Sequence, residues 1–338
     1  MSAKQHVTIP CPHHPTTNVA KIIQAALDED AGDRGDVTTL ATIPPETQAT
    51  AVFTAKSEGT LAGLGVADAV LEAVDPTLQV EWRACDGDRV TRGAVLGVIR
   101  GGARGILVAE RVMLNLMQRM SGIATATAAM VVELEGLNTR VLETRKTAPG
   151  MRLTDKWAVL IGGGSNHRMG LFDMMMIKDN HIAAAGGIRA AVQRAEEYIR
   201  SQGLAGSMCI EVETSSLEQV DEVVELLRTA REHRQRQQQR GEGQEGEKQE
   251  APPLGLFVTR VMLDNMAVRD ASKEGGVDVT LLAEAVGRLG DLAETEASGN
   301  VTLATLRTIA ATGVTFVSVG ALTHSVSALD ISLNIETQ

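Results

Sequence analysis

Aromatic side chains are scarce in this chain of 338 residues, where they make up 2% of the sequence. Because hydrophobic residues still account for 43%, we expect a core of Ala, Val, Leu, Ile and Met. No apolar run approaches the roughly 18 residues that a membrane-spanning helix needs, so the sequence predicts a soluble protein with no membrane partner. A chain of this length has room for about two domains of roughly 100–200 residues each.

Cysteine and net positive charge are scarce as well. The three cysteines, Cys11, Cys85 and Cys209, are odd in number and far apart, which indicates free thiols in a reducing compartment. With no apolar signal core at the N-terminus, we expect a cytoplasmic protein. The net charge of −11 argues against a nucleic-acid partner, but it leaves room for a small anionic ligand in a local cationic pocket.

The chain changes its rhythm at about residue 138. The first third alternates short strand-like and helical runs and reads as a small α+β unit that ends in a long helical region, 105–134, which we expect to break near Ser121 and Gly122. Beyond it, strand-like runs alternate with helical runs, as in parallel βαβ units. The strand-like runs are 140–146, 171–180, 208–214, 258–265, 292–300 and 314–320. Six such units favour a barrel over an open sheet.

These patterns predict the domain organisation. We expect a flexible tail at 1–17, an N-terminal α/β domain at 18–120 and an α/β-barrel catalytic domain at 121–325. The last segment, 326–338, could return to the N-terminal domain. Residues 231–253 are rich in Gln, Glu, Arg and Gly and cannot bury enough surface to offset their ordering entropy, so we expect a disordered insertion within the barrel.

Polar side chains collect where the predicted barrel strands end. Because parallel strands direct their C-terminal ends to one mouth of a barrel, these residues are candidates for a common site. The early strand ends are mainly cationic, the middle ones are acidic, and the late ones are small and lead into helices. They are Glu143, Arg145, Lys146, Lys178, Asp179, Asn180, Glu211, Glu213, Asp264, Asn265, Glu296, Ser298, Asn300 and Gly320.

Three kinds of chemistry are therefore predicted at this mouth. The cations would hold a polyanionic substrate, the acids would hold a divalent metal or sugar hydroxyls, and backbone N–H groups at helix starts would hold phosphate. A single Lys or Arg at a strand end is more often a solvated surface charge, Glu213 or Asp264 alone could be a helix cap, and residues 298–300 could be an ordinary turn. Their convergence favours the functional interpretation.

Residues 162–168, three glycines followed by Ser, Asn166, His167 and Arg168, precede the second barrel strand. Arginine suits bidentate recognition of a carboxylate, and histidine can donate to an anion or move a proton. The glycines would let the loop fold over to the barrel mouth. The apolar run 171–177 would be a buried strand. An ordinary flexible loop with two surface cations remains the alternative.

Several long motifs resemble the quinolinate phosphoribosyltransferase family. They are GDVTT (35–39), GTLAG (59–63), ERVMLNLMQRMSGIAT (110–125), ETRKTAPGMR (143–152), GGGSNHRMGLFDMMMIKDNHI (162–182), IEVET (210–214), VMLDN (261–265), EASGN (296–300) and VSVGALTHSVSALDISL (317–333). The resemblance implies an N-terminal α/β sandwich-like domain followed by an incomplete seven-stranded α/β (TIM-like) barrel. It also implies an enzyme that joins quinolinate to 5-phosphoribosyl-1-pyrophosphate with Mg²⁺, giving nicotinate mononucleotide, pyrophosphate and CO₂ in NAD biosynthesis.

The resemblance also assigns roles to residues of this chain. The quinolinate pocket would comprise Arg111, Thr144, Arg145, His167, Arg168 and Lys178. Lys146 would lie between quinolinate and the phosphoribosyl group, while Glu213 and Asp264 would lie near the ribose and Mg²⁺. The residues of the phosphate loops would be Ser298, Gly299, Asn300, Val319, Gly320, Ala321 and His324. Lys146, Lys178, Glu213 and Asp264 are the candidate catalytic residues.

The chain departs from the family pattern at two positions. Asn300 stands where many members have a second glycine, and Lys56 stands where the family often has an arginine that reaches the neighbouring subunit of a homo-oligomer, a dimer or a hexamer. Lysine keeps the charge but loses the bidentate fork.

Two other functions remain possible from the sequence. A barrel lyase could use Lys146 or Lys178 as a Schiff-base nucleophile. A non-catalytic phosphometabolite-binding or scaffold protein could use the 231–253 segment for interactions.

Overall fold

A computed structural model of the chain describes residues 5–240 and 252–336. Its first elements are α1 (Val19–Ala31), α2 (Val37–Thr42), β1 (Gln48–Ala55), β2 (Gly59–Thr60), α3 (Leu64–Val74), β3 (Gln79–Trp82), β4 (Arg89–Val90), β5 (Val95–Gly102), α4 (Ala103–Glu133), β6 (Arg140–Leu142) and α5 (Arg152–Ile161). Next come β7 (Met175–Ile177), α6 (Asp179–Ala185), α7 (Ile188–Ser201), β8 (Ile210–Thr214), α8 (Leu217–Arg240), β9 (Val258–Asp264), β10 (Val268–Arg269) and β11 (Val277–Asp278). The last are α9 (Thr280–Leu289), β12 (Glu294–Ser298), α10 (Leu303–Ala310), β13 (Phe316–Ser318), α11 (Ala321–His324) and β14 (Ile331–Ile335).

The chain divides into two compact units. The first comprises the residues up to Val132, Glu143–His167 and the residues from Gly320 onward; the second comprises Glu133–Leu142 and Arg168–Val319. Helix α4 continues through residue 120, where we predicted the boundary between the two domains. Helices α5 and α11 belong to the first unit. The predicted domain boundaries stay a prediction.

The first unit contains an antiparallel sheet in the order β14-β1-β5-β3. Along β1 buried and partly exposed residues alternate, as they do when one face of a sheet packs on a core. The C-terminal strand pairs with β1 in a register that sets Leu333 opposite Phe53. The buried faces of α3 and α4, rich in Val, Leu, Met and Ala, supply much of this unit's core.

The N-terminal segment that we predicted as a flexible tail makes specific contacts within the first unit. His6 Nε2 lies 2.7 Å from Asp68 Oδ2, Thr8 Oγ1 donates to the carbonyl of Asp86, and Trp157 Nε1 donates to the carbonyl of Ile9. Polar groups that are largely buried need such partners, which the sequence pattern of the tail did not reveal. The first four residues of the predicted tail lie outside the described residues.

Two glycines bring other backbone segments close to α4. The predicted break near Ser121 and Gly122 is wrong, because the helix is continuous there and Gly122 lies against the main chain of Ser327. A Cβ at Gly162 would lie 2.6 Å from the carbonyl oxygen of Ala124. At these two positions glycine provides the space for close packing, and Gly162 does so in the loop where we expected glycine to provide flexibility near a ligand.

The second unit contains a parallel sheet in the order β6-β13-β12-β9-β8-β7. Each of the six predicted barrel runs contributes one strand, and the first strand pairs with the last, as expected for barrel-type winding. All five residues of β8 are buried, which is typical of a parallel strand covered on both faces. Within the described part of the chain, β6 and β7 are the two ends of the sheet, which is consistent with an incomplete barrel of six assigned strands where the resemblance implied seven.

The strand predicted across 171–177 is shorter than expected, because β7 covers only Met175–Ile177. The side chain of Asp173 accepts hydrogen bonds from the N–H groups of Met169 and Gly170, which folds this part of the run into a turn. Leu171 and Phe172 are therefore exposed, by 74% and 46%.

The predicted disordered insertion begins as a helix, since α8 continues to Arg240. Arg231 forms a two-point ion pair with Asp291, and Arg234 donates to the carbonyl of Leu256. These two contacts favour helix over the disorder that composition indicated for 231–240. Residues 241–251 of the predicted insertion lie outside the described residues. Among the helices that are described, none is both long enough and apolar enough to cross a membrane.

Replacing Gly122 with Ala tests the close packing on α4. We expect Gly122→Ala to lower the free energy of unfolding by about 1–3 kcal/mol, because the added methyl group meets the Ser327 main chain. Gly287→Ala in α9 is the matched control: no atom lies within 4 Å of its Cβ position, so it should stabilise by about 0.5–1 kcal/mol. Urea unfolding of both variants measures the difference, and equal effects would contradict the packing argument.

Candidate active site

In the second unit, a lysine and an acid meet where two neighbouring strands end. Lys178 directly follows β7, and its Nζ atom lies 2.5 Å from Oε2 of Glu213 in β8. The other oxygen of Glu213 accepts the N–H of Asp179 at 3.3 Å. Glu213 is 8% exposed, whereas the Lys178 side chain is 42% exposed. The acid is therefore held in place while the lysine remains accessible to a ligand.

A second acid, Asp264, ends the adjacent strand β9. Burial raises the pKa of its carboxyl group, and the charge of Glu213 raises it further, while a hydrogen bond from Ser298 opposes the shift. Asn265 Nδ2 also donates to Asp264 Oδ2 at 2.7 Å. Two carboxylates that repel each other at a half-buried position form a donor set that suits a hard divalent cation such as Mg²⁺.

The loops after β9 and β12 use left-handed backbone conformations. Asn265, Gly299 and Asn300 have φ values of 56°, 94° and 58°. Asparagine tolerates this conformation better than most side chains, so Asn300 can stand where the family often has glycine. Its Nδ2 atom also donates to the carbonyl of Ala267 at 3.0 Å, and Asn265 N donates to the carbonyl of Ser298 at 2.8 Å, so the two loops are joined.

In the first unit, two arginines lie close together in the segment after β6. Arg145 Nε is buried and has no hydrogen-bond partner among the described atoms. Arg152 Nε donates to Thr147 Oγ1, and the pKa of Arg152 is lowered by burial and then by the positive charge of Arg145. An anion between the two guanidinium groups would relieve both effects.

Sequence reasoning did not single out Arg152 as a site residue, although it is the last residue of the quoted motif 143–152. The same segment also contains Thr144, whose hydroxyl accepts the N–H of Lys146 at 3.0 Å and so forms a tight turn.

His167 is held by a buried ion pair. The backbone N–H of His167 donates to Glu143 Oε1 at 3.1 Å, and its backbone carbonyl accepts from Lys156 Nζ at 3.0 Å. Glu143 and Lys156 are ion-paired with each other and both have 0% exposure. Burial raises the pKa of Glu143, and the ammonium group of Lys156 opposes that shift. Sequence reasoning also missed Lys156, because its surroundings predicted only a helix.

Lys146 and His324, two candidates for phosphate binding, lie on either side of Gly320. A Cβ added to Gly320 would lie 3.1 Å from Lys146 Cδ and 3.3 Å from His324 Nε2, so the absence of a side chain lets both approach. The hydroxyl of Thr323 donates to the carbonyl of Lys146 at 2.9 Å. Ala321 begins α11 directly after Gly320. In the second unit, the N–H of Val319 donates to the carbonyl of Leu142 at 2.8 Å.

Arg168 is the first residue of Arg168–Val319, the longer segment of the second unit, and it is half-buried. Its Nη1 donates to the carbonyl of Met174 at 3.2 Å, and the residue lines a cavity of about 350 Å³. Other residues around this cavity include Leu171, Met176, His181 and Arg194. The cavity therefore combines an apolar wall with cations, a combination suited to an aromatic carboxylate.

The remaining two cations predicted for the site, Arg111 and Lys56, are exposed in the isolated chain. The Arg111 side chain is 59% exposed and lies 3.7 Å from Glu110. The backbone N–H of Lys56 donates to Asp330, while its side chain is exposed. Among the described residues of the first unit, no hydrogen bond or ion pair joins either side chain to another predicted site residue.

A parallel α/β barrel whose strand ends carry paired acids, a lysine and phosphate-type loops is typical of enzymes that act on phosphorylated metabolites. The match to family models is more specific. Residues 36–121 match the quinolinate phosphoribosyl transferase N-terminal domain, and residues 123–334 match the C-terminal domain of the same family. The chain belongs to the quinolinate phosphoribosyltransferase family.

Individual relatives agree over nearly the whole chain. A chloroplastic nicotinate-nucleotide pyrophosphorylase [carboxylating] of Arabidopsis thaliana is 52% identical over 97% of this chain and 85% of its own length. A Mycobacterium leprae relative with the same enzyme name is 37% identical over 93% of this chain and 95% of its own.

Solved structures confirm the fold class. The crystal structure of NadC from Streptococcus pyogenes has a TM-score of 0.76 and 32% identity, covering 95% of this chain and 98% of its own. The nicotinate-nucleotide pyrophosphorylase from Francisella tularensis has the same TM-score and identity, with 97% and 100% covered. The predicted combination of an N-terminal α/β domain with a TIM-like barrel is confirmed.

The raised pKa of Asp264 predicts a stability effect with a defined sign. The unfolded chain ionises this carboxyl near pH 4, whereas the folded protein holds it protonated to higher pH, so its charge destabilises the fold at neutral pH. We expect Asp264→Asn to raise the Tm at pH 7 in the presence of a chelator. The gain should shrink as the pH falls through the range between the two pKa values.

Asp270→Asn is the control with the opposite sign. Hydrogen bonds from Ser272 lower the pKa of Asp270, so its charge stabilises the fold above the ordinary Asp range, and its loss should lower the Tm at pH 7. Thermal unfolding of both variants between pH 4 and 8 measures these effects; a Tm loss for Asp264→Asn at neutral pH would contradict the predicted cost of its charge.

Proposed function

We propose that this chain transfers the phosphoribosyl group of 5-phosphoribosyl-1-pyrophosphate to quinolinate and releases CO₂, giving nicotinate mononucleotide and pyrophosphate. As a nicotinate-nucleotide diphosphorylase (carboxylating), it would act in de novo NAD biosynthesis. The observation that carries the proposal is the match of both family domains to residues 36–334, together with cationic and acidic groups on the matching motifs.

Recognition of quinolinate is assigned to cations and one threonine. The residues are Arg111, Thr144, Arg145, His167, Arg168 and Lys178, to which we add Arg152. Quinolinate carries two carboxylates, and each close opposite pair is worth on the order of 4 kcal/mol at 4 Å and an effective dielectric near 20, before desolvation costs. The position of Arg152 beside Arg145, whose charge lowers the pKa of Arg152, supports an anionic ligand here.

Recognition of the phosphoribosyl donor is assigned to the acids and the small loops. Glu213 and Asp264 would hold the ribose hydroxyls and a metal, and Lys146 would bind the phosphoribosyl group on the side that faces quinolinate. The 5′-phosphate would bind at Ser298, Gly299, Asn300, Val319, Gly320 and Ala321, with His324 beside it. Support comes from the left-handed backbone of the first loop and from the close approach of Lys146 and His324 to Gly320.

Mg²⁺ is the metal proposed for this reaction. The carboxylates of Glu213 and Asp264 fit it, because both are oxygen donors and the negative charge of one raises the pKa of the other. When bound, Mg²⁺ would stabilise the negative charge of the departing pyrophosphate. Lys178 would then neutralise the remaining charge of Glu213 or turn to a substrate carboxylate.

Catalysis by these residues would consist of positioning and electrostatic stabilisation. The quinolinate nitrogen attacks the anomeric carbon while the bond to pyrophosphate breaks, and no covalent enzyme intermediate is required. The resulting pyridinium ring accepts the electron pair left when the C2 carboxylate departs as CO₂, and a proton then fills C2. Cations around the carboxylates hold the ring in line with the donor.

The alternative of a Schiff-base lyase has less support. A Schiff base requires an unprotonated amine, whereas Lys178 forms an ion pair with Glu213. The family match likewise favours the transferase over a non-catalytic binding protein.

A homo-oligomer with shared active sites, a dimer or a hexamer, is part of this proposal. Arg111 and Lys56 are exposed cations at positions that the resemblance assigns to the site, and Val37 and Leu40 on α2 are exposed by 58% and 54%. A partner subunit would cover such a surface.

We also place the enzyme in the cytoplasm, where a reducing environment suits its three free cysteines, although plant relatives are named chloroplastic or mitochondrial.

The activity itself is tested by mixing the protein with quinolinate, 5-phosphoribosyl-1-pyrophosphate and Mg²⁺. We expect nicotinate mononucleotide and CO₂ in equal amounts, and loss of turnover when a chelator removes the metal. Nicotinate in place of quinolinate should give little product, because it lacks the C2 carboxylate that the cations hold. Product formation that is insensitive to chelation would contradict the role of Mg²⁺.

Arg168→Ala should raise the KM for quinolinate by roughly 10–100-fold, since a hydrogen bond between charged groups is worth about 1.5–3 kcal/mol. The KM for the phosphoribosyl donor should change little. Arg189→Ala, which removes an exposed arginine near Glu225, is the control and should leave both constants unchanged. An unchanged quinolinate KM in Arg168→Ala would remove this residue from the pocket.

A further inference from the structure

Helix α5 carries two successive charged residues, Asp155 and Lys156, whose exposure is 0%. Burying a charge is costly unless it is paired, and hydrophobic residues of similar size are often at least as stabilising as a buried ion pair. Their neighbours on the helix, Thr154 and Trp157, are buried as well. Stability alone therefore gives little reason for opposite charges at these two positions.

Lys156 contacts the main chain of His167. Its ion pair with Glu143 holds both polar groups of the His167 main chain, one oxygen of Glu143 accepting the N–H and Lys156 Nζ donating to the carbonyl. With its side-chain amide oriented to satisfy its neighbours, Asn166 donates to the Lys156 carbonyl at 2.9 Å and to Glu143 Oε2 at 3.0 Å. The ion pair thus fixes the backbone from which the imidazole of His167 projects.

Asp155 is connected to Lys146 through hydrogen bonds of Arg119 and Thr323. It forms a two-point ion pair with Arg119, both distances being 2.8 Å. Arg119 Nη2 also donates to the carbonyl of Thr323 at 3.0 Å, and the Thr323 hydroxyl donates to the carbonyl of Lys146 at 2.9 Å. Thr323 is fully buried, and the same segment begins at Gly320, where the side chains of Lys146 and His324 converge.

We propose that Asp155 and Lys156 are positioning residues with separate tasks. Lys156, through Glu143, aligns His167 for quinolinate, and Asp155, through Arg119 and Thr323, aligns Lys146 and the Gly320–His324 segment for the phosphoribosyl donor. Successive helix residues point about 100° apart, so one rigid helix can support two groups on different sides. This inference rests on the proposed function for the identity of the two substrates.

The test compares Lys156→Met with Asp155→Asn in the full-length enzyme. Lys156→Met should raise the KM for quinolinate by about tenfold and change that for 5-phosphoribosyl-1-pyrophosphate by less than about twofold. Asp155→Asn should give the reverse pattern, so each variant is the control for the other. Equal changes in both constants, or a loss of Tm with neither constant changed, would overturn the proposal.

Gentler variants keep the test decisive if either protein fails to fold. The double variant Glu143→Gln/Lys156→Met removes both buried charges. It keeps an oxygen that can accept the backbone N–H of His167, but it loses the ammonium group that donates to the His167 carbonyl. It should still raise only the KM for quinolinate. Thr323→Val removes the hydrogen bond from the Thr323 hydroxyl to the Lys146 carbonyl and should raise only the KM for 5-phosphoribosyl-1-pyrophosphate. Absence of this split in the folded variants would count against separate tasks.

A buried acid outside these networks controls for general destabilisation. Glu196, with 0% exposure, pairs with Arg200 and accepts the N–H of Phe257. Glu196→Gln should lower the Tm while leaving both KM values unchanged. If it reproduces the pattern of Lys156→Met, the effect on quinolinate is a consequence of lost stability.

A readout that does not depend on turnover separates this proposal from the proposed function. In protein labelled with ¹³C-histidine, the His167 ring signal is assigned by its loss in His167→Gln. That signal should shift or broaden in Lys156→Met and remain in place in Asp155→Asn. If the His167 signal does not move in Lys156→Met, the positioning role is overturned even if the enzyme is active. If the signal moves but the wild-type protein does not turn over quinolinate, only the proposed function is contradicted.

Discussion

Keeping cations in place within a protein of net charge −11 is the constraint on which the rest of the structure depends. Three cations of the candidate site and its support are held by largely buried carboxylates: Lys178 by Glu213, Lys156 by Glu143, and Arg119 by Asp155. Since an unpaired buried charge costs several kcal/mol, these pairs fix both partners far more firmly than surface ion pairs do. The acids are thus the scaffold on which the cations are arranged.

Two pairs of like charges near this scaffold fit the proposed ligands. Burial lowers the pKa of Arg152, and the positive charge of Arg145 lowers it further. The carboxyls of Glu213 and Asp264 oppose each other in the same way, but with the sign reversed. A dianion relieves the first conflict and a divalent cation relieves the second. A substrate pair that brings a dicarboxylate and a metal-bound diphosphate matches both.

The sequence predicted the architecture well because its signals are local. Each strand-like run between 140 and 320 became a strand, since apolar periodicity and polar strand ends are visible within a few residues. Residues failed to follow prediction where a distant partner decided the outcome. Gly122 suggested a break in α4, but it is the point at which Ser327 packs. Residues 171–174 form a turn before the strand, because the side chain of Asp173 accepts hydrogen bonds from two backbone N–H groups.

The candidate site was predictable to the same extent. Glu213, Asp264 and Lys178 stand at strand ends, where spacing alone indicates convergence, and the structure brings them together. Asp155 and Lys156 could not be found in this way, because a helical pattern does not distinguish a charge in solvent from one that is buried and paired across the chain.

The burial of these two charges also bears on how a reaction of two substrates is controlled. A reaction between two bound molecules depends on their mutual orientation, and a misplacement of about 1 Å can cost about 100-fold in rate. Loops that each bind one substrate would vary independently unless something rigid joined them. Helix α5 supplies such a connection, because a shift of its axis would move His167 through Lys156 and Lys146 through Asp155 and Arg119 together. In this proposal, alignment of the two substrates, more than stability, accounts for the opposite charges at these adjacent buried positions.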